Sequence, residues 1–327
     1  MPRGGMRAFL TGGSGFIGSH LLEALLGDGW RVTALFHRAP IHRTSGVEVI
    51  AADITDLSAL ESGMKEADVV FHLASALGSS LIDQKEFFRI NAAGTEAVLE
   101  AARRARVSRV VHFSSAGVFG CVKDGDVADE DYPARPILAY DHAKYAGEKA
   151  ARRFAAEGMD VVIVRPGWAY GPGDRRTFKL IRKVAAGPFI MATRAAARQT
   201  PVYISDLVRG ALLAAARGRA GEVYHLAGAE ILTAAEIVRA VASAAGRRRP
   251  RSHLPGLPAR VAAYVLEKAF LPLRKEPPLS RPKLSFFLHS KPLSIAKAGR
   301  ELGFSPEVDF ANGIRMALDW YRRNGWL

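Results

Sequence analysis

Thr11-Gly12-Gly13-Ser14-Gly15-Phe16-Ile17-Gly18 stands between the apolar run Arg7-Ala8-Phe9-Leu10 and the amphipathic stretch Ser19-His20-Leu21-Leu22-Glu23-Ala24-Leu25-Leu26. A strand enters, glycines turn the chain, and a helix leaves. Missing side chains let a pyrophosphate approach the backbone, and a helix N-terminus presents free N–H groups to it. Gly13, Gly15 and Gly18 fit G-x-G-x-x-G, and Gly12, Gly15 and Gly18 fit the variant G-x-x-G-x-x-G. The spacing alone also fits an ordinary glycine-rich turn. The strand–turn–helix context is what points to a dinucleotide.

Strands and helices alternate outward from this turn. Arg31–Phe36, Val47–Ala52, Val69–Leu73, Arg109–Phe113 and Val161–Arg165 read as further strands, and Phe16–Leu26, Asn91–Arg104 and Tyr140–Glu157 as helices. The short Val/Ile-rich runs suit a parallel sheet covered on both faces. Right-handed crossovers then predict a doubly wound α/β domain of the Rossmann type, with ligands at the carboxyl ends of the strands. After Gly171-Pro172-Gly173 strands become sparse. The expected division is a dinucleotide-binding domain over 1–170, to which 200–228 return, and a smaller C-terminal substrate lobe from 171–199 and 229–327. Pro277-Pro278 through Lys291-Pro292 reads as a proline-punctuated connector, and Asp309–Arg323 as a closing helix.

Composition narrows the partners. The 46 Lys and Arg against 32 Asp and Glu leave a formal charge of +14. Nucleic acid is not the expected partner, since no helix-turn-helix, zinc-finger or RNA-binding signature accompanies the charge. Much of the excess sits in Ala/Arg-rich segments such as Ala101-Ala102-Arg103-Arg104-Ala105-Arg106. Cys121 is the only cysteine, so no intrachain disulfide is available and a reducing, cytoplasmic setting is expected. Met1 to Met6 is short and polar for a secretory signal. No apolar run approaches the ~20 residues of a membrane span. The nine histidines lack ligand spacing, and no metal is expected.

Tyr140-Asp141-His142-Ala143-Lys144 places a phenol and an ammonium on one helix face. A free phenol, with a pKa near ~10, is a poor base at neutral pH; a fixed ammonium and an oxidised nicotinamide ring favour the phenolate. Such a group takes a hydroxyl proton while hydride leaves the same carbon, or gives one to a carbonyl oxygen. Tyr145 and Lys149 repeat the spacing, turned about 140° away. Pro136 and the loop before Tyr140 put the first pair at the helix start, leaving Tyr145 to packing and Lys149 to solvent. Ser115, directly after the strand ending at Phe113, is placed to hydrogen-bond the reacting oxygen, whereas Ser114 is expected to satisfy backbone groups. No G-x-S-x-G elbow competes.

Together Gly12–Gly18, Asp53, Ser115, Tyr140 and Lys144 resemble the extended short-chain dehydrogenase/reductase superfamily, in its NAD-dependent epimerase/dehydratase group. Phe71-His72-Leu73-Ala74, Asn91-Ala92-Ala93-Gly94-Thr95, Arg165-Pro166 and Tyr170-Gly171-Pro172-Gly173 extend the resemblance, and Pro136, Tyr140, Lys144 and Glu148 fit its frame around the catalytic helix. The resemblance implies that Tyr140 is the acid/base, that Lys144 holds the nicotinamide ribose and lowers the phenol pKa, and that Ser115 positions the substrate oxygen. It makes Gly12, Gly15, Phe16, Ile17 and Gly18 the phosphate-binding turn. Asp53 and Ile54 would hold the adenine. Leu73, Ala74, Pro166 and Asn91 complete the cofactor surroundings, Asn91 also supporting the catalytic helix. Relatives that use NAD usually carry an acid at the end of the second strand. Phe36-His37-Arg38 stands there instead, so His37 and Arg38 favour NADP(H) over NAD(H).

Gly167-Trp168 and His225 replace asparagines common in nucleotide-sugar epimerases and dehydratases of the group, while the tail resembles its 3β-hydroxysteroid dehydrogenase-like branch. The expected reaction is hydride transfer at a secondary alcohol or ketone of a lipidic or steroid-like small molecule. The alternatives are a nucleotide-sugar epimerase or dehydratase, and a non-catalytic dinucleotide sensor; retention of Ser115, Tyr140 and Lys144 speaks for an enzyme. A homodimer is expected, packed through Tyr145, Ala146, Ala150 and Ala151. The stretch Leu257–Leu273 is apolar around most of a helix and flanked by Arg247, Arg248, Arg249, Arg251, Arg274 and Lys275, so that 257–275 form one segment. Burial in the small lobe is the plain expectation; a hydrophobic pocket wall or peripheral contact with an anionic membrane is the sharper one.

Overall fold

The computed structural model describes residues 5–37, 46–77, 81–186, 189–248, 250 and 252–327. Arg38, Arg249 and Arg251 lie outside the described residues. Seven strands form one all-parallel sheet: β1 (Arg7–Thr11), β2 (Arg31–Phe36), β3 (Val47–Ala51), β4 (Val69–His72), β5 (Arg109–Phe113), β6 (Val161–Pro166) and β7 (Val223–Leu226). Their order is β7-β6-β5-β4-β1-β2-β3. The direction of winding reverses beside β1, which pairs with β2 on one side and β4 on the other. A doubly wound sheet opens its ligand crevice at the carboxyl end of such a switch.

Successive side chains of each strand serve opposite layers. Leu10, Phe71, Val111 and Val164 face α1 (Phe16–Gly27) and α7 (Ile204–Arg217). Phe9, Val70, Val110 and Ile163 face α2 (Leu57–Met64), α4 (Gly94–Arg104) and α5 (Ala139–Ala156). Of the segments expected to rejoin the first domain, β7 becomes the sheet's edge. Pro201–Tyr203 does not join it; it pairs with Trp168–Tyr170 in a separate two-stranded ribbon.

The predicted helix over Asn91–Arg104 is broken into parts. α3 (Gln84–Phe88) runs into a π-helical turn at Arg89–Ala93, and α4 starts only at Gly94. The proline-punctuated connector also contains a helix, α10 (Arg281–Leu288), started by the Ser280 hydroxyl accepting from the Lys283 amide with a proline in the first turn. Before it lie α6 (Arg175–Ala185), α8 (Ala234–Ala244) and α9 (Gly256–Phe270); after it, α11 (Ala296–Leu302) and α12 (Phe310–Arg323). Ala151 is wholly buried against Phe154 and Ala102, so it is not free to pack against a second copy.

Candidate active site

The glycine loop is held by backbone contact on every side. Gly12 has φ +77°, and a Cβ there would lie 2.6 Å from the Ala74 amide nitrogen. One on Gly18 would lie 2.1 Å from the Gly12 carbonyl oxygen. α1 follows with no side-chain cap and no acid in its first turn, so its free N–H groups face an open cavity of about 610 Å³. Gly12, Gly15, Phe16, Ile17, Gly18, His37, Asp53, Ile54, Leu73, Ala74, Tyr140, Lys144 and Pro166 line it. Asn91 does not. Its amide group is spent on Ala76, accepting from the backbone N–H at 2.8 Å and donating to the carbonyl at 3.1 Å. Its carbonyl oxygen is the surface on which Gly147 of α5 packs.

At the far end Asp53 accepts from Arg89 at 2.7 Å and lies 3.7 Å from His37. Burial raises its pKa, but the hydrogen bonds from Arg89 and Thr55 outweigh that and hold the carboxyl well below the usual range. Arg89 is held in turn by Glu86, at 2.8 and 2.9 Å.

At the near end Lys144 is buried, and its Nζ donates to the Phe113 carbonyl at 2.5 Å. Burial pulls its pKa down to about 8, against the attraction of Glu148. Tyr140 is half-buried, edge-on to Phe87. Burial pushes its phenol pKa up; the positive charge of Arg176 and the hydroxyls of Ser115 and Ser75 oppose this. Ser115 Oγ accepts from the Gly117 amide at 3.0 Å. Ser114 departs from expectation: its hydroxyl donates to Glu148 Oε2 at 2.6 Å rather than serving the backbone. Tyr145 packs beside Ala116 and Phe119, and Lys149 is exposed with its Nζ 5.4 Å from the Tyr145 ring.

A second cavity of about 660 Å³ opens on the other side of Tyr140. Ser115, Trp168, Phe87, Ile137 and Phe286 line it, while Ile17, Leu77, Ser114, Tyr140, Pro166 and Arg176 belong to both cavities. Trp168 stacks on Tyr170 at 5.8 Å and leans on Phe286 at 5.1 Å, away from the dinucleotide side. A dinucleotide-sized groove thus meets an aromatic-walled pocket at one phenol.

The family model for the NAD dependent epimerase/dehydratase family matches residues 8–227. The chain belongs to this family. It is an extended short-chain dehydrogenase/reductase, an enzyme of a class that comprises dehydrogenases, reductases, dehydratases and epimerases. A ketoreductase of Stigmatella aurantiaca named for a farnesylated dihydroquinoline N-oxide is 32% identical, over 94% of this chain and 95% of its own. A 3β-hydroxysteroid dehydrogenase/Δ5→4-isomerase of Mycobacterium tuberculosis is 30% identical, over 96% of this chain and 90% of its own. A dTDP-glucose 4,6-dehydratase of Streptomyces venezuelae, solved with NAD bound, superposes with a TM-score of 0.80 at 28% identity, covering 98% of each chain.

In this family member several side chains take contacts that the sequence reading did not assign to them. Glu148 of α5 and Arg165 of β6 form a buried ion pair, with contacts of 2.6 and 3.0 Å. His72 is clamped between Thr11 and Thr95, and burial lowers its pKa to about 3, so it is a neutral strut. Arg89 and Arg176 are cations on the dinucleotide cavity wall. Arg176 sits in the first turn of α6, after its cap Asp174. The one clue available was a loop followed by Asp-Arg-Arg at a helix start.

Proposed function

We propose that this enzyme transfers hydride between NADP(H) and a secondary alcohol or ketone of a lipidic or steroid-like substrate, using Ser115, Tyr140 and Lys144. The carrying observation is that Tyr140 walls both cavities, with Ser115 on the substrate side and Lys144 on the dinucleotide side. When bound, the nicotinamide supplies or accepts the hydride. The rest falls to the chain. Ser115 donates a hydrogen bond to the substrate oxygen. In reduction, Tyr140 passes its phenolic proton to that oxygen as the carbonyl becomes an alcohol; in oxidation it takes the proton back. A phenol of ordinary pKa near ~10 is protonated at neutral pH and so carries the proton that reduction needs. The first turn of α1 holds the pyrophosphate, and Lys144 holds the nicotinamide ribose.

The apolar wall of Leu77, Phe87, Ile137, Trp168 and Phe286 supports a lipidic substrate, as do the substrates in the names of the ketoreductase and the hydroxysteroid dehydrogenase. NADP(H) is favoured because His37, not an acid, follows β2, and Arg38 comes next. In this reading residues 171–199 and 229–327 supply the substrate lobe, and the enzyme works as a cytoplasmic homodimer. A second reading, a nucleotide-sugar epimerase or dehydratase, draws on Arg176 and Lys291 in the substrate cavity, which suit a diphosphate. The test is a panel of lipidic ketones and sugar nucleotides with NADPH and NADH side by side. Loss of reduced-nicotinamide absorbance with a lipidic ketone and NADPH supports the first reading. Conversion of a sugar nucleotide with no net absorbance change overturns it in favour of the second.

A further inference from the structure

We propose that α9 is a docking helix that seats this protein on an anionic phospholipid surface. The expectation that this apolar helix is buried fails in an informative way. Its wholly buried residues are small, Ala259 and Ala263, packed against Leu284 of α10. Four of its large residues point out: Leu257 is 74% exposed, Val261 56%, Tyr264 52% and Val265 55%, while Leu266 and Phe270 are half-buried. At about 100° per residue these four fall within an arc of roughly 100°. A helix lying against a protein core presents the reverse arrangement, apolar residues inward and charges outward. The chain leaves α9 through Leu271 and Leu273, which are exposed as well.

The charge around this face is mostly positive. Lys268 stands in the same arc with its Nζ 5.9 Å from the Tyr264 ring, so its stem lies along the apolar surface and its head is free to reach outward. Arg260, Arg274 and Lys275 are exposed at the edges. The helix's only acid, Glu267, is turned to the other side, where it pairs with Arg281 at 2.7 Å. A cationic helix adjoins: Lys179 and Lys183 of α6 reach Glu276 at 3.3 Å and the Pro278 carbonyl at 3.2 Å, on the segment that follows. Apolar side chains between lysines and arginines, on a helix lying flat on the protein, are the pattern of interfacial helices. A second copy of this chain is a poor occupant, since a symmetric contact would press the same cations together.

The placement also bears on the active site. Glu267 and Arg281 line the substrate cavity, so a docked α9 sets that cavity beside the bilayer. Delivery of substrate from the lipid rests on the lipidic reading above; the docking itself does not, and it is measured without substrate. The experiment is flotation of the full chain with phosphatidylglycerol/phosphatidylcholine vesicles and with phosphatidylcholine alone, at low and high salt. The wild type is expected to float with the anionic vesicles only and to be released by salt. Val261→Ser with Val265→Ser, and separately Lys268→Glu with Arg274→Glu, are each expected to lower partition at least about tenfold. Thermal melting and dinucleotide binding are expected to stay unchanged, because these residues are exposed and none of them lines the cavity at the glycine loop. No flotation with anionic vesicles at low salt overturns the proposal, as does equal flotation of either double variant and the wild type. A lipid-free dimer abolished by Val261→Ser with Val265→Ser overturns it in favour of self-association.

Discussion

Glu148 offers the sharpest test of what holds α5 in place. Its carboxylate is fully buried and receives four hydrogen bonds: from Arg165 Nε at 3.0 Å and a terminal nitrogen at 2.6 Å, from Ser114 at 2.6 Å and from Arg152 at 3.1 Å. Glu148→Ala strands the Arg165 guanidinium in the interior with, among the described residues, only the Glu130 carbonyl as a remaining hydrogen-bond acceptor, at 3.1 Å. Breaking a buried pair from one side costs about 3–5 kcal/mol, most of it the uncompensated charge. Unfolding entropy near ~2.1 cal/mol/K per residue, over 327 residues, is about 0.7 kcal/mol/K, so the melting temperature should fall by about 4–7 °C. The control is Glu96→Ala, which removes an exposed partner of Arg153 and should cost under about 1 kcal/mol. Glu148→Leu combined with Arg165→Met should recover most of the loss. Burial raises the Glu148 pKa, but Arg165 outweighs it and leaves the carboxyl below its ordinary range. The pair's stabilisation is therefore present above that range and lost as pH falls through the lowered value. Differential scanning calorimetry across pH reads both effects. A Glu148→Ala melting point no lower than that of Glu96→Ala would refute the reasoning.

Three further expectations concern the site. Tyr140→Phe should lower kcat by about 10²–10⁴-fold and leave dinucleotide affinity intact; stopped-flow turnover and fluorescence titration separate the two. Gly18→Ala forces a Cβ to 2.1 Å from the Gly12 carbonyl, so the loop must shift, and calorimetric dinucleotide affinity should fall at least about tenfold. Lys144→Met tests the cost of a buried ammonium. Burial lowers its pKa from 10.5 to about 8, so between those values the unfolded chain binds more protons and the wild type gains stability as pH rises. The cost is fully present below pH 8 and bounded by about 3 kcal/mol. Chemical denaturation from pH 7 to 10.5 should show that gain in the wild type and none of it in Lys144→Met.

The glycine loop, the strand runs and the Tyr140/Lys144 spacing were legible because each is local: apolar content marks a doubly covered strand, and helical periodicity puts residues four apart on one face. What failed was long-range. Ser114 was assigned to the backbone because its partner, Glu148, lies 34 residues away on another element. Arg176 joins the site only because α6 begins where the two cavities meet. Asn91 was placed at the cofactor on resemblance alone; the π-helical turn directs it to Ala76 and makes its backbone the seat of α5. Pro282 counted against a helix in the connector, yet a proline in the first turn is compatible with the helix that Ser280 starts.

The same limit explains α9, where hydropathy and structure part. A helix apolar around most of its circumference is ordinarily read as buried. That inference assumes neighbours on all sides, and the fold gives α9 one main neighbour, α10, whose Leu284 covers only the alanine side. Small residues stand where the packing is close, and Leu257, Val261, Tyr264 and Val265 stay more than half exposed, so the core formed by the described residues does not explain these four. Leaving them in water carries a standing cost in apolar surface, which an occupant outside the protein would relieve. The acid that might have kept such a face soluble, Glu267, is instead tied to Arg281 at the rim of the substrate cavity. One helix therefore presents its cations and large apolar groups outward while committing its carboxylate to the active-site side, and this asymmetry links how the enzyme would find a lipidic substrate to where it would turn it over.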